Sequence, residues 1–326
     1  MLKPEDIFSI KTADEFNACA ISIFKHQVKN CQVYADYIHH LKIDTEKIEH
    51  ITQIPFLPIS FFKTHRVLSN QDSVEVTFSS SGTTGMVQSS HHVTDVKLYE
   101  RSYLQAFDSF YGDVSKFCFL ALLPSYQQRS GSSLIYMVND LIEKSMHPQS
   151  GYFLYNHEDL FNTLIDLKEK NQPTVLIGVT YALLDFIEQY DIDFPELIVM
   201  ETGGMKGKRK EMVREELHEQ LTNGFGVSSI HSEYGMTELL SQAYSLGNGI
   251  FNCPKWMEVL IRDTNDPLSL IQNGKTGGIN VIDLANVNSC SFIATQDLGR
   301  INSDGSFEVL GRFDNADIRG CNLLVQ

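Results

Sequence analysis

The chain has 326 residues, of which 42% are hydrophobic and 21% charged, and its formal net charge is −15. A surface of that sign repels nucleic acid and anionic lipid, so a polyanion must be met at a local site and no nucleic-acid role is expected. No run approaches the roughly 18 consecutive apolar residues of a membrane span, and the acidic start at Glu5 and Asp6 is unlike a secretory signal, so a cytoplasmic protein without a membrane span is expected. Residues 12–50 carry Phe16, Ala20, Ile23, Phe24, Val28, Tyr34, Tyr37 and Ile38 at three-to-four spacing, which predicts two helices. Pro55 and Pro58 break that pattern, and residues 59–62, 66–68 and 74–78 read as short strands. Apolar runs at 117–123, 174–179 and 196–201 alternate with helical patterns at 181–189 and 208–221, which argues for an α/β sheet. After Trp256 the texture changes to short β-like runs at 257–261, 278–283, 291–294, 299–301 and 307–310, separated by Gly and Asn. A core over 1–250 and a small β-rich subdomain over 251–326, ending in a short tail, follow from that change.

The chemistry-bearing segment is Phe78-Ser79-Ser80-Ser81-Gly82-Thr83-Thr84-Gly85, directly after a predicted strand. Glycines permit close backbone approach and positive φ, so successive N–H groups converge on anionic oxygens while Ser and Thr add hydroxyl donors without bulk. The segment reads as a phosphate cradle, with ATP as the ligand. It is not the P-loop of kinases and GTPases, because no Lys follows Gly82 or Gly85 at the required place. Alone, Gly-Thr-Thr-Gly is also an ordinary tight loop. Two further blocks follow, Tyr234-Gly235-Met236-Thr237-Glu238 and the stretch 297–312.

Together the three blocks resemble the adenylate-forming superfamily of acyl-CoA synthetases, peptide-synthetase adenylation domains and firefly luciferase, over the chain from about Val74 onward. The resemblance implies layered α/β sheets with a small β-barrel, the active site at their junction, and ATP with Mg²⁺ as cofactors. It implies that Ser80, Ser81, Gly82, Thr83, Thr84 and Gly85 close over the phosphates, that Tyr234 stacks on adenine beside Gly203 and Gly204, that Thr237 binds phosphate and that Glu238 binds Mg²⁺. Asp297 matches the acidic ribose ligand, and Arg312, in Gly311-Arg312-Phe313-Asp314, matches the hinge-region arginine.

Departures from the pattern narrow the reading. Val87-Gln88 stands where most members carry Pro-Lys, which removes one positive contact to phosphate; Ser89, Ser90 and His91 are the residues positioned to compensate. The sequence has no counterpart of the mobile C-terminal domain and its catalytic Lys, and Cys321, in Arg319-Gly320-Cys321, lies where that domain would begin. The subgroup this resembles is the acyl-protein synthetase of the bacterial bioluminescence fatty-acid reductase, which carries its acyl group on a Cys near the C-terminus; Cys321 is the matching position. Arg319, two residues away, would face the same side of an extended segment and favour the thiolate.

Each of these residues also has a plain reading. Thr237-Glu238-Leu239-Leu240 reads equally as the capped start of a helix, Tyr234 as a partly buried aromatic, Asp297 as a turn cap before Gly299, Arg312 as a surface arginine paired in solvent with Asp314 or Asp317, and Cys321 as an inert cysteine beside Leu324 and Val325. The six cysteines lack C-x-x-C pairs and zinc spacing, so free thiols are expected, with Cys118 buried in its apolar run. His39, His40, His50 and His65 lack companion ligands; His231 precedes Tyr234 by three; Arg129 precedes a Ser-Gly-Ser-Ser run suited to an anion at a helix N-terminus. The function expected is ATP-dependent activation of a fatty acid as its acyl-adenylate, with catalytic roles for Thr237, Glu238 and Cys321 and delivery of the acyl group to an acceptor protein, a reductase or acyl carrier protein. The alternatives are a ligase that passes the acyl group to coenzyme A or a carrier thiol, with Cys321 structural, and a noncatalytic acyl-carrier interaction module.

Overall fold

Thr12 fixes where the first long helix begins. Its hydroxyl accepts from Glu15 N at 3.2 Å, while Glu15 Oε2 accepts from Thr12 N at 3.1 Å, so two backbone donors at the helix start are satisfied reciprocally. The computed structural model describes residues 4–70, 72–80, 87–125, 127, 129, 131–203 and 212–313. By its contacts the chain divides into two compact units, Met1–Gln71 with Lys255–Gln326, and Asp72–Pro254. The N-terminal helices thus fall with the β-rich segment, whereas the sequence groups them with the core.

In the first unit α1 (Pro4–Phe8) precedes the expected stretch, and α2 (Ala13–Asn30) and α3 (Gln32–His40) are its two expected helices, which end at His40 rather than at His50. The buried stripe of α2, including Phe16, Ala20, Ile23, Phe24 and Gln27, packs against the β-rich part of the same unit. Gln27 is fully buried and fully used: Nε2 donates to the carbonyls of Asn286 and Val287, and Oε1 accepts from Ser291 N. Substituting Thr12 by Ala is expected to cost about 1 kcal/mol, read as a lower urea midpoint with unchanged slope.

Residues 59–62 are not a strand. The strand is β1 (Leu57–Pro58), and Phe61–Thr64 forms one helical turn, α4. Residues 66–68 are also irregular, with Val67 buried and the neighbouring Ser69 N donating to Asn288 O.

The second unit opens with a hairpin, β2 (Val76–Ser79) and β3 (Ser90–Val93), antiparallel with Phe78 opposite His91. Then α5 (Val96–Tyr111), β4 (Cys118–Leu122), α6 (Ser133–Ser145), β5 (Gly151–Tyr152), α7 (His157–Glu169), β6 (Thr174–Val179), α8 (Thr180–Ile187), β7 (Ile198–Thr202), α9 (Arg214–Phe225) and β8 (His231–Tyr234) alternate along the chain. Two short strands, β9 (Ala243–Ser245) and β10 (Ile250–Asn252), complete the unit. The strand order is β10-β9-β8-β7-β6-β4-β5. Strands β5, β4, β6, β7 and β8 are parallel, and β9 and β10 are antiparallel additions. Strands β4 and β6 are buried at every position, as expected of parallel strands covered on both faces. Ligands of such sheets bind beyond the carboxyl ends of the strands. In this unit those ends are Leu122, Val179, Thr202 and Tyr234.

The first unit resumes with β11 (Met257–Arg262), β12 (Gly277–Asp283), β13 (Phe292–Ile301) and β14 (Phe307–Arg312), an antiparallel meander with β1 parallel to β13. The runs expected at 291–294 and 299–301 are one strand, β13, with a register shift between Leu298 and Gly299. No helix among the described residues is long and apolar enough to cross a membrane.

Candidate active site at the carboxyl ends of the parallel strands

Gly203 follows β7 directly and has φ +59°, the left-handed region where a side chain is strained. Its carbonyl accepts from the Thr180 hydroxyl at 3.1 Å, and the same hydroxyl lies 3.4 Å from Glu201 Oε2. The ends of β6 and β7 are therefore tied together behind the turn. Gly204 lies outside the described residues.

Strands β7 and β8 are in parallel register, Glu201 beside Ser232 and Thr202 beside Glu233. Alternation then puts Glu201, Ser232 and Tyr234 on one face and Thr202, Glu233 and Tyr244 on the other. On the second face Thr202 Oγ1 donates to Glu233 Oε2 at 2.7 Å. Burial, opposed by that hydrogen bond and reinforced by the charge of Glu201, holds the Glu233 carboxyl up at about 7. A Cβ at Gly235 would lie 2.3 Å from Glu233 Oε1, so a side chain there would displace the end of the Glu233 side chain. The Tyr111 hydroxyl and His231 Nδ1 are 3.2 Å apart on the same face, and burial lowers the His231 pKa. On the first face burial raises the Glu201 carboxyl, but His218, Arg214 and Ser232 outweigh it and the net shift is downward.

Tyr234 is buried, with its ring edge-on to Phe251 at 5.9 Å. The alternative of a helix opening at Thr237 is not realised. Residues 236–239 form a turn closed by Leu239 N donating to Met236 O at 3.1 Å, and Glu238 is buried within it. The Thr237 carbonyl accepts from His91 Nδ1 at 2.8 Å. A carbonyl can only accept, so that nitrogen carries the proton. Through this bond the hairpin that leads into the glycine loop is fixed to the Tyr-Gly-x-Thr-Glu turn.

Ser80 extends the hairpin: its N–H donates to Ser89 O at 3.1 Å and its Oγ accepts from Ser89 N at 2.9 Å. Ser81, Gly82, Thr83, Thr84 and Gly85 lie outside the described residues. Of the residues positioned to replace the missing Lys, Ser89 and His91 are both buried, and His91 is committed to Thr237. Arg129 is described, but its neighbour Ser130 is not; helix α6 is capped instead by Ser132, whose hydroxyl accepts from Ile135 N.

In the other unit Asp297 does not cap a turn. It sits inside β13, buried, directly opposite Arg312 on β14, and Arg312 Nε donates to its Oδ1 at 2.9 Å. Asp314, Asp317, Arg319 and Cys321 lie outside the described residues. The five described cysteines are free thiols; Cys118 is fully buried and its thiol is pushed up to about 11 by burial. Sequence reasoning missed Thr180, Arg214, His218 and Glu233, because nothing in their local spacing distinguishes them from ordinary helix and strand residues. Gly235 carries the one local signal, since a glycine inside a strand-end motif marks a close approach.

The family model for acyl-protein synthetase, LuxE, matches residues 8–326. The chain belongs to the acyl-protein synthetase family. A stretch of 67 residues is 42% identical to a long-chain-fatty-acid–luciferin-component ligase of Photorhabdus luminescens, over 20% of this chain and 57% of that protein. Among solved structures, ATP-bound MatB from Rhodopseudomonas palustris matches with a TM-score of 0.55 at 15% identity, over 75% of this chain and 49% of MatB. A 2-hydroxyisobutyryl-CoA ligase in the postadenylation state matches with a TM-score of 0.67 at 9% identity, over 97% of this chain and 73% of that one. At such identities the likeness establishes the fold, which is the α/β core of the adenylate-forming enzymes, as expected. The chain spans about half the length of MatB.

Proposed function

We propose that this protein activates a fatty acid with ATP and passes the acyl group through its own cysteine to an acceptor protein. A carboxylate oxygen bonds to the α-phosphorus, the bond to the β-phosphate oxygen breaks, and pyrophosphate leaves an acyl-adenylate. The Cys321 thiolate then attacks the acyl carbon, giving an S-acyl enzyme and AMP, and the thioester is handed to a reductase or an acyl carrier protein. Family membership supports the reaction class, and one geometric observation carries the assignment to this site: His91 joins the hairpin before the glycine loop to Thr237, beside buried Glu238 and at the end of the strand bearing Tyr234.

In this reading Gly203, Gly204 and Tyr234 hold adenine, and residues 80–85 with Thr237 hold the phosphates. Among the described residues no group of three His, Cys, Asp or Glu is arranged to bind a metal. A single buried carboxylate still fits Mg²⁺, which takes oxygen ligands and is often bound by one or two carboxylates with phosphate and water. Glu238 would hold that ion, whose bound charge neutralises the phosphates.

The test is ATP-dependent covalent labelling with radiolabelled tetradecanoate. Label that requires ATP, is released by hydroxylamine and is absent from Cys321→Ser is the expected result. Pyrophosphate release with no protein label, but with acyl-CoA formed when coenzyme A is added, would replace the protein thiol by a soluble one. Neither label nor pyrophosphate release across several acids would leave a noncatalytic module.

A further inference from the structure

A group of buried and half-buried polar side chains behind the Gly203 turn has no part in the reaction as proposed. Arg214 is the first residue of α9, and its guanidinium Nη1 lies 3.6 Å from Glu201 Oε1. Its Cζ stands 5.2 Å from the centroid of the Phe251 ring, within cation–π range. Its stem passes Gly249 so closely that a Cβ there would fall 2.5 Å from Arg214 Cδ. One turn further along α9, His218 Nε2 lies 3.8 Å from the same Glu201 oxygen. Neither separation is a hydrogen bond, and Arg214 Nη1, His218 Nε2 and Ser232 Oγ are buried without hydrogen-bond partners.

Such a loosely satisfied charge cluster is a poor stability device, since desolvation offsets much of the Coulombic gain and apolar residues would fill the space as well. Its contacts suggest another use. Glu201 reaches the Gly203 turn through the Thr180 hydroxyl, which the two share. Phe251 reaches Tyr234 by its edge. Arg214 is the side chain that contacts both Glu201 and Phe251, so it bridges the two walls between which the nucleotide base is proposed to lie.

Resting on the proposed adenylation reaction, we propose that Arg214 is a positioning residue for ATP: by holding Glu201 and Phe251 together it sets the gap between Gly203 and Tyr234 without touching the nucleotide. Charge alone is not sufficient for this, because the guanidinium lies over the ring while it also faces the carboxylate. The bridge joins only residues proposed to flank the base, so ATP and the acid are expected to respond differently when it is broken.

The experiment uses the full chain and calorimetric titration with MgATP, followed by pyrophosphate-release kinetics with ATP and tetradecanoate varied separately. Arg214→Met is expected to weaken ATP binding and raise its KM by about tenfold, with the KM for tetradecanoate unchanged within about twofold. Arg214→Lys keeps charge and length and is expected to lose about threefold, which keeps the test informative should the Met variant fold poorly. Phe251→Leu is expected to act in the same direction, and its combination with Arg214→Met to cost less than the product of the two, as for residues sharing one contact. Unchanged ATP affinity in the Arg214 variants, parallel rises in both KM values, or effects that simply multiply would overturn the inference while leaving the adenylation reading intact. A wild-type chain that binds no ATP would remove that reading and the inference with it.

Discussion

Glu238→Gln is expected to lower ATP-dependent pyrophosphate release by about a hundredfold or more, and to raise the Mg²⁺ concentration needed for half-maximal rate. The substitution preserves shape and removes only charge. Glu238 is 5% exposed in a turn whose backbone is closed by Leu239 N on Met236 O and tied to the hairpin by His91 on the Thr237 carbonyl. The thermal transition is measured beside the rate, and a loss of rate with the transition unchanged reports on the site. Mg²⁺ binds carboxylate oxygen far better than a neutral amide, and pyrophosphate leaves as a polyanion whose charge needs a counter-ion. Glu238→Asp, which keeps the charge on a shorter stem, is expected to fall between Gln and wild type at saturating Mg²⁺. Full activity of Glu238→Gln at the wild-type Mg²⁺ requirement would exclude the carboxylate as the ion's ligand.

The parallel core was legible because burial on both faces writes a continuous apolar run. Cys118–Leu122 and Thr174–Val179 are buried at every position, and both stand within the expected runs. The same signal misled at 59–62, because a four-residue apolar run fits a buried helical turn as well as a strand. There Pro58 ends a two-residue parallel pairing, Ile59 N donates to Ala294 O, and the chain turns into Phe61–Thr64 with Phe62 buried. Strand β13 looked like two runs because polar Thr295, Gln296 and Asp297 separate its apolar ends; Thr295 and Asp297 are in fact buried, their polar atoms paired within the meander. Helices α5 and α7 were passed over, their apolar stripes diluted by polar positions.

At the site, Gly203 and the Tyr-Gly-x-Thr-Glu turn could be located from sequence through their match to the motifs of the adenylate-forming superfamily; the structure adds the positive φ of Gly203. His91 was noticed only for its nearness to the glycine loop. Its actual contact, with a carbonyl 146 positions away, is set by tertiary packing. Arg214 and His218 are similarly silent: in the sequence they are a basic residue and a histidine on an amphipathic helix, and only the sheet behind them supplies Glu201.

Glu233 gives the clearest pH prediction. Its carboxyl is held at about 7 against an ordinary value of 4.5, chiefly by burial, with the Thr202 hydrogen bond acting against the rise and the charge of Glu201 adding to it. Between those two values the folded chain keeps a proton that the unfolded chain releases. Stability is therefore greatest below the unfolded value, falls as pH rises through this window, and levels off above the folded value. Glutamine at 233 is neutral throughout and its amide oxygen still accepts from Thr202, so the variant loses this slope. In urea titrations Glu233→Gln is expected to match wild type near pH 5 and to exceed it by about 1 kcal/mol near pH 8, a figure kept small because the side chain retains some solvent contact. Gly235 leaves room for the arrangement, since a side chain there would push Oε1 aside. Gly235→Ala is accordingly expected to displace the carboxylate and flatten the same pH dependence, at a net cost in stability. Parallel pH profiles for wild type and Glu233→Gln, or a variant weaker than wild type at pH 8, would show that the carboxyl is ionised in the folded chain and stabilised by its surroundings.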